Sequence, residues 1–272
     1  MFSRIKQAFI TNASVILALT VFVLSLGISE LAVETYQQKL QDKAWQEAVT
    51  ATQHIQETLQ LKFSDTLKSQ VLRQYIFAVN GKVDPLALEA IMAGMIIDSK
   101  ILRDIGIAPN NQITYIYPLA GNEKALGLRY EEIPSQWPMV EHTIKEQQAH
   151  LAGPLQLVEG TSALIYLNPV FLKDGSYWGM ISKVINTNDF LDFIQFEKGV
   201  PELKVALRNN EGEGAIGNSG TFYGDESLFN GKGVRVNIAV PGGHWELIVK
   251  PIDLLPEALL SYYYVAIMLS FC

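Results

Sequence analysis

Four polar residues stand where apolar runs should line a sheet interior: Tyr166 and Asn168 in "SALIYLNPVF", Arg103 in "ILRDIGIA" and Lys183 in "SYWGMISKVI". Strand alternation along the first run sends Leu164, Tyr166 and Asn168 to one face, and Ala163, Ile165 and Leu167 to the other. A phenol and a carboxamide in mid-strand need hydrogen-bond partners once buried. A bound small molecule is one source of such partners, and neighbouring backbone is another. Arg103 and Lys183, on neighbouring strands, are candidates to hold an anion, with exposed strand charges as the commoner explanation.

Other chemistries have less support. The histidines are His54, His142, His150 and His244; His142 and His150 do not share a helical face at ligand spacing, and no His-Glu-x-x-His occurs. They read as surface residues. The stretch "EGEGAIGNSG", Glu211 to Gly220, lacks the Gly-Lys-Ser/Thr of a phosphate loop and carries acids that repel phosphate. No Gly-x-Ser-x-Gly elbow is present. Asp174, Asp189, Asp192 and Glu197 fall at turns and helix starts, where capping accounts for them. Catalysis by this chain is not expected, and no cofactor or metal is implied. Cys272 is the single cysteine, so no internal disulfide or cysteine-based zinc site can form. A net charge of -7 argues against a nucleic-acid partner.

The elements that position these residues begin with an uncharged run, "AFITNASVILALTVFVLSLGIS", from Ala8 to Ser29. At about 1.5 Å per residue it reaches roughly 30 Å, the thickness of a bilayer core. Arg4 and Lys6 before it, and Glu30 and Glu34 after it, put residues 1–7 in the cytoplasm, residues 8–29 in the membrane and everything after Ser29 outside. A cleaved signal peptide is the competing reading. Residues 30–79 lack glycine and proline and read as one long helix. Its apolar stripe through Tyr36, Leu40, Ala44, Ala48, Ala51, Ile55, Leu59, Phe63, Leu67, Val71 and Tyr75 drifts around the helix. One end is thus free for a partner helix and the other for the domain's own core, which predicts a homodimer through this stalk. Asp84-Pro85 caps a second helix. Short strands and helices alternate to about residue 251, an α+β arrangement. From residue 255 a charge-poor segment, with tyrosines at 262–264, reads as the beginning of a second membrane helix, or else as a buried terminal helix.

"RDIGIAPNNQITYIYPLAGNEKALGL", "EQQAHLAGPLQLVEGTSALIYLNPVF", "WGMISKVI" and "VPGGHWELIVKP" together resemble the CHASE domain, the extracellular sensory module of membrane histidine kinases and nucleotide cyclases. The likeness covers residues 83–251. It implies a distal PAS-like unit at 84–197, a smaller proximal one at 200–252, and a ligand in the distal unit. In the plant cytokinin receptors of this family an acidic side chain and a threonine hold the ligand. Those positions fall near Gln136 and Leu167, with a backbone contact near Val158, and neither expected residue is present. What the resemblance carries over is a pocket location around Tyr117, Gln156, Val158, Tyr166, Leu167 and Asn168.

The expectation is the periplasmic small-ligand sensor of a two-pass bacterial inner-membrane receptor, its output domain lying beyond this chain. A diguanylate cyclase is favoured as that output and a histidine kinase is next. The alternatives are a membrane-anchored periplasmic interaction scaffold and a periplasmic enzyme.

Overall fold

The computed structural model describes residues 2–99, 101–157, 160–194, 203–209 and 220–252. Among them the chain separates into two compact units, residues 2–47 and residues 48–252. The second-membrane-helix segment at 255–272, and Glu197 and residues 211–219 of the acidic glycine-rich stretch, lie outside the described residues.

In the first unit the described chain is helix: α1 spans Phe2–Thr66 and starts there. It is long and apolar enough to cross a membrane, and Val15, Leu17, Val21, Leu24 and Ile28 are exposed along it.

The second unit contains the remainder of α1, then α2 (Gln70–Ala78) and α3 (Pro85–Asp98). The single long helix expected over 30–79 is therefore interrupted at residues 67–69. No glycine or proline marks the break, and its cause is tertiary. The buried Lys183 ammonium donates to the Thr66 and Lys68 carbonyls at 2.9 and 2.7 Å. Carbonyls at a helix C-terminus carry the negative end of its dipole and accept a cation well. At the start of α3, Asp84 accepts from the Ala87 amide and Pro85 takes the first helical position.

A five-stranded antiparallel sheet follows, in the order β2-β1-β5-β4-β3. Its strands are β1 (Leu102–Pro109), β2 (Tyr115–Tyr117), β3 (His150–Gln156), β4 (Ser162–Phe171) and β5 (Tyr177–Asn186). α4 (Trp137–Glu146) precedes β3 and α5 (Thr187–Ile194) follows β5. Asn110 and Asn111, both at positive φ, turn the chain after β1. A second antiparallel sheet has the order β7-β6-β9-β8, built from β6 (Leu203–Asn209), β7 (Gly220–Tyr223), β8 (Val234–Val240) and β9 (Gly243–Pro251). β7 has no counterpart in the sequence reading, because four residues opening on glycine carry too little alternation to register.

One core cluster joins both sheets to α1. Phe63 stacks on Phe190 at 5.3 Å and stands edge-on to Trp245 at 5.2 Å, while Phe222 meets Trp245 at 4.9 Å. The part of the apolar stripe from Leu59 to Leu67 is thus used on the protein's own core, whereas Tyr36 and Val71 are exposed.

Candidate functional site

The two faces of the five-stranded sheet meet different material. Ile105, Ile107, Leu164, Tyr166, Ile181 and Ile185 pack with Phe63, Leu67, Leu72, Ile76, Leu88 and Met92 of the helices. Ala108, Ile165, Leu167 and Met180 on the other face pack with Ile113, Tyr130, Ile133, Met139 and Val140. Between that second face and the segment from Ile113 to Gln136 lies a cavity of about 50 Å³.

Most of its wall is apolar, with Ile113, Ile116, Leu128, Ile133, Ile165 and Val184. Five buried polar residues also line it: Asp104, Asn122, Tyr130, Gln136 and Ser182. Asp104 reaches this face through an irregularity in register. Leu102 pairs with Ile185 and Asp104 with Val184, so Arg103 is the extra residue of a bulge. Such a bulge re-aims the side chains beyond it. Leu102 accordingly joins the helix-side cluster, while Asp104 and Gly106 line the cavity. Gly106 permits Ser182 to lean in, because a Cβ there would stand 2.5 Å from the Ser182 Oγ.

Burial pushes the Tyr130 phenol up to about 12, opposed by its hydrogen bond with Ser182 and helped by the nearby Asp104 charge. Tyr130 is therefore a neutral phenol at physiological pH. The covering segment is held by the Ile113 amide on the Leu128 carbonyl (2.9 Å), the Gly127 amide on the Ile113 carbonyl (2.7 Å) and the Tyr130 amide on the Asn111 carbonyl (3.0 Å). The Tyr177 hydroxyl donates to Asn111 Oδ1 at 2.6 Å and ties the same segment to β5. Arg103 clamps the rim: Nη1 donates to Thr161 Oγ1 at 2.8 Å, Nη2 to Asn122 Oδ1 at 2.7 Å, and Nε lies 3.5 Å from Asp104 Oδ2. Asn122 in turn donates to the Pro118 carbonyl at 2.9 Å.

The structure divides the residues singled out from sequence. Arg103 lies at the cavity rim, and Leu167 belongs to the apolar cluster on the cavity side. Tyr166, Tyr117 and Lys183 lie toward the helices instead. The buried Tyr166 phenol is raised by burial, with a hydrogen bond to Ser69 opposing. Asn168, buried opposite Ile181, shares the Tyr166 face by alternation. Arg103 and Lys183, paired in the sequence reading as anion holders, thus serve different sites. Gln156 pairs with Ser162 in the β3–β4 ladder, its side chain being outside the described residues, as is Val158. Asp104, Asn122, Tyr130 and Ser182 were not singled out. An aspartate inside the apolar run "ILRDIGIA" was the available signal; Asn122 and Tyr130 come in on the covering segment, and Ser182 is a small polar residue in the regular alternation of β5.

His150 corrects the surface reading of the histidines. It is buried, with Nδ1 3.0 Å from the Gln148 carbonyl and the ring 5.0 Å from that of His142. It sits where the two sheets meet: the Leu151 amide donates to the Pro241 carbonyl at 2.7 Å, and Gly242 of the β8–β9 turn lies on the His150 ring. Among the described residues, no group of three histidine, cysteine or acidic side chains is placed to hold a metal.

No curated protein matches the chain in sequence. Solved structures share its fold. An extracellular ligand binding receptor from Desulfohalobium retbaense superposes with a TM-score of 0.57 at 17% identity, covering 73% of this chain; the chain spans 39% of that receptor. The sensory domain of the Campylobacter jejuni chemoreceptor Tlp3, with isoleucine bound, gives 0.54 at 11% identity over 80% of this chain and 96% of its own. The ligand binding domain of the Pseudomonas aeruginosa amino acid chemoreceptor PctB, in complex with L-Arg, gives 0.52 at 12% identity, covering 79% and 96%. The CHASE domain family model matches residues 37–216, more than half of the chain. With both sheets and the cavity beside Asp104 in place, the chain belongs to the CHASE domain family of extracellular sensory domains.

Proposed function

We propose that this chain is the periplasmic small-ligand sensing module of a two-pass inner-membrane receptor, with its amino terminus in the cytoplasm and its output, a diguanylate cyclase or a histidine kinase, beyond this chain. The observation that carries the reading is the distal cavity, where Asp104, Asn122, Tyr130, Gln136 and Ser182 converge beside an apolar wall. Pockets of that composition fix a ligand's orientation with a few polar groups and its affinity with apolar contact. The ligand it fits is a compact molecule with hydrogen-bond donors for Asp104 and an apolar body. Arg103 serves as rim and Leu167 as backing. A cavity of about 50 Å³ is small for such a ligand, so entry requires the Ile113–Gln136 segment to move outward. That movement gives the ligand different affinities for two states, the requirement for any signal. The exposed apolar part of α1 supports the membrane assignment, and the exposed Tyr36 supports pairing of two copies through the stalk.

A thermal-shift screen of the full chain in nonionic detergent tests the reading, with amino acids and nitrogen heterocycles as probes. One class is expected to raise the melting temperature, and Gln136→Ala is expected to abolish the rise. A stable chain that answers to no small molecule yet forms a stable complex with a periplasmic protein would establish the scaffold reading instead.

A further inference from the structure

A second cavity lies on the opposite side of the five-stranded sheet, at the break between α1 and α2. Its volume is about 290 Å³, several times that of the distal cavity. The wall is drawn from the end of α1, the linking residues, α2, the end of α3, β1 and β5. Its charged residues are Lys62, Lys68 and Lys183 against Asp65 and Asp98. Asp65 is engaged by Lys68 at 3.6 Å, with both side chains largely exposed. Lys183 differs from the others: it is fully buried, and among the described residues its hydrogen-bond partners are the neutral carbonyls of Thr66 and Lys68. An ammonium has three donors, so one remains beyond those two bonds. A buried cation facing dipoles alone is costly to hold, and a counter-anion beside it offsets that cost.

We propose that this cavity is a second binding site, taking a small oxyanion, a carboxylate or a phosphate, on the Lys183 ammonium with Lys62 and Lys68 at its mouth. The site stands apart from the distal cavity and does not depend on what occupies it. Because Lys183 also holds the two carbonyls at the helix break, an anion on its remaining donor is coupled to the junction of α1 with α2. Burial brings Lys183 down to about 8, so an anion binds best below that pH and more weakly above it.

Isothermal titration of the full chain in nonionic detergent tests this, using acetate and inorganic phosphate at fixed ionic strength. Saturable binding of at least one anion is expected, and which one binds distinguishes a carboxylate source from a phosphate source. Lys62→Ala and Lys68→Ala, both at exposed positions, should each weaken it roughly two- to five-fold, the size of an exposed ion pair. Lys183→Met should abolish it. Gln136→Ala, in the other cavity, should leave it unchanged. No saturable heat with either anion overturns the proposal, as does binding that both exposed-lysine variants leave intact. If Lys183→Met fails to fold, those two variants and the loss of acetate binding above pH 8 decide the matter.

Discussion

Lys183 and Thr66 are joined by a hydrogen bond of 2.9 Å from a fully buried ammonium to the last carbonyl of α1. The pair links the middle of the five-stranded sheet to the point where the long helix stops. It makes the end of α1 depend on the sheet, and the same residue lies on β5, whose other face lines the cavity beside Asp104 through Ser182 and Val184.

This relationship has a pH signature. Burial lowers Lys183 to about 8, so between pH 8 and about 10.5 the unfolded chain holds more protons than the folded one. Stability from this group therefore rises with pH across that window. Urea unfolding of the full chain as a function of pH should show the rise, and Lys183→Met should flatten it. At neutral pH the same variant leaves two carbonyls without their buried donor, a loss of about 1–3 kcal/mol that the relief of a buried charge reduces.

The distal cavity should close on a small change. In Gly106→Val the new side chain begins 2.5 Å from the Ser182 Oγ position and extends into the space between β1 and the covering segment. Any ligand found for the wild type should lose binding by at least an order of magnitude, by titration calorimetry. Far-ultraviolet circular dichroism should be unchanged. Retained affinity would place the ligand elsewhere.

The junction of the sheets should be intolerant of a methyl group. Gly242 has φ of 78°, and a Cβ there would stand 1.9 Å from the His150 ring. Gly242→Ala is expected to cost about 1–3 kcal/mol from the backbone conformation, with the steric overlap in addition. Limited proteolysis of the β8–β9 turn should be faster in the variant.

Mild acid should act on the same junction. Burial holds His150 below the usual histidine value, opposed by the Gln148 carbonyl and by Glu146 and assisted by His142; the facing turn, Pro241 to Gly243, carries no charge. The unfolded chain takes up this proton near pH 6.5 while the folded chain resists it. The contribution is complete above pH 6.5 and is lost as the pH falls below it. His150→Phe should reduce the slope of stability against pH over that range.

Phe63 is the residue on which α1 meets α5 and the second sheet, through Phe190 and Trp245. Phe63→Ala should destabilise the chain by about 3–5 kcal/mol, measured by urea unfolding. Leu61→Ala, two positions away and 70% exposed, should cost far less.

Local rules made much of this architecture legible in the residues. The uncharged run after Arg4 and Lys6, the Asp84-Pro85 helix start and the alternation in β4 each depend on a few neighbours along the chain. The combination of motifs from Arg103 to Pro251 was sufficient to resemble the CHASE family. Even the assignment of Tyr166 and Asn168 to one face of β4, and Leu167 to the other, needed only the period of two.

Which of those faces meets the covering segment and its cavity was settled by tertiary packing. The helices claim the Tyr166 side through apolar burial, which leaves the Leu167 side for the covering segment. The bulge at Arg103 then turns Asp104 into the cavity against simple alternation from Leu102, and a single-residue offset of that kind has no mark in composition. The break after Thr66 has the same origin. Residues 30–79 carry helix-forming side chains throughout, and Lys183, brought in from β5 more than a hundred residues away, takes the Thr66 and Lys68 carbonyls where α1 ends. Periodicity and composition are properties of neighbours in sequence; a buried charge and its partners are properties of neighbours in space.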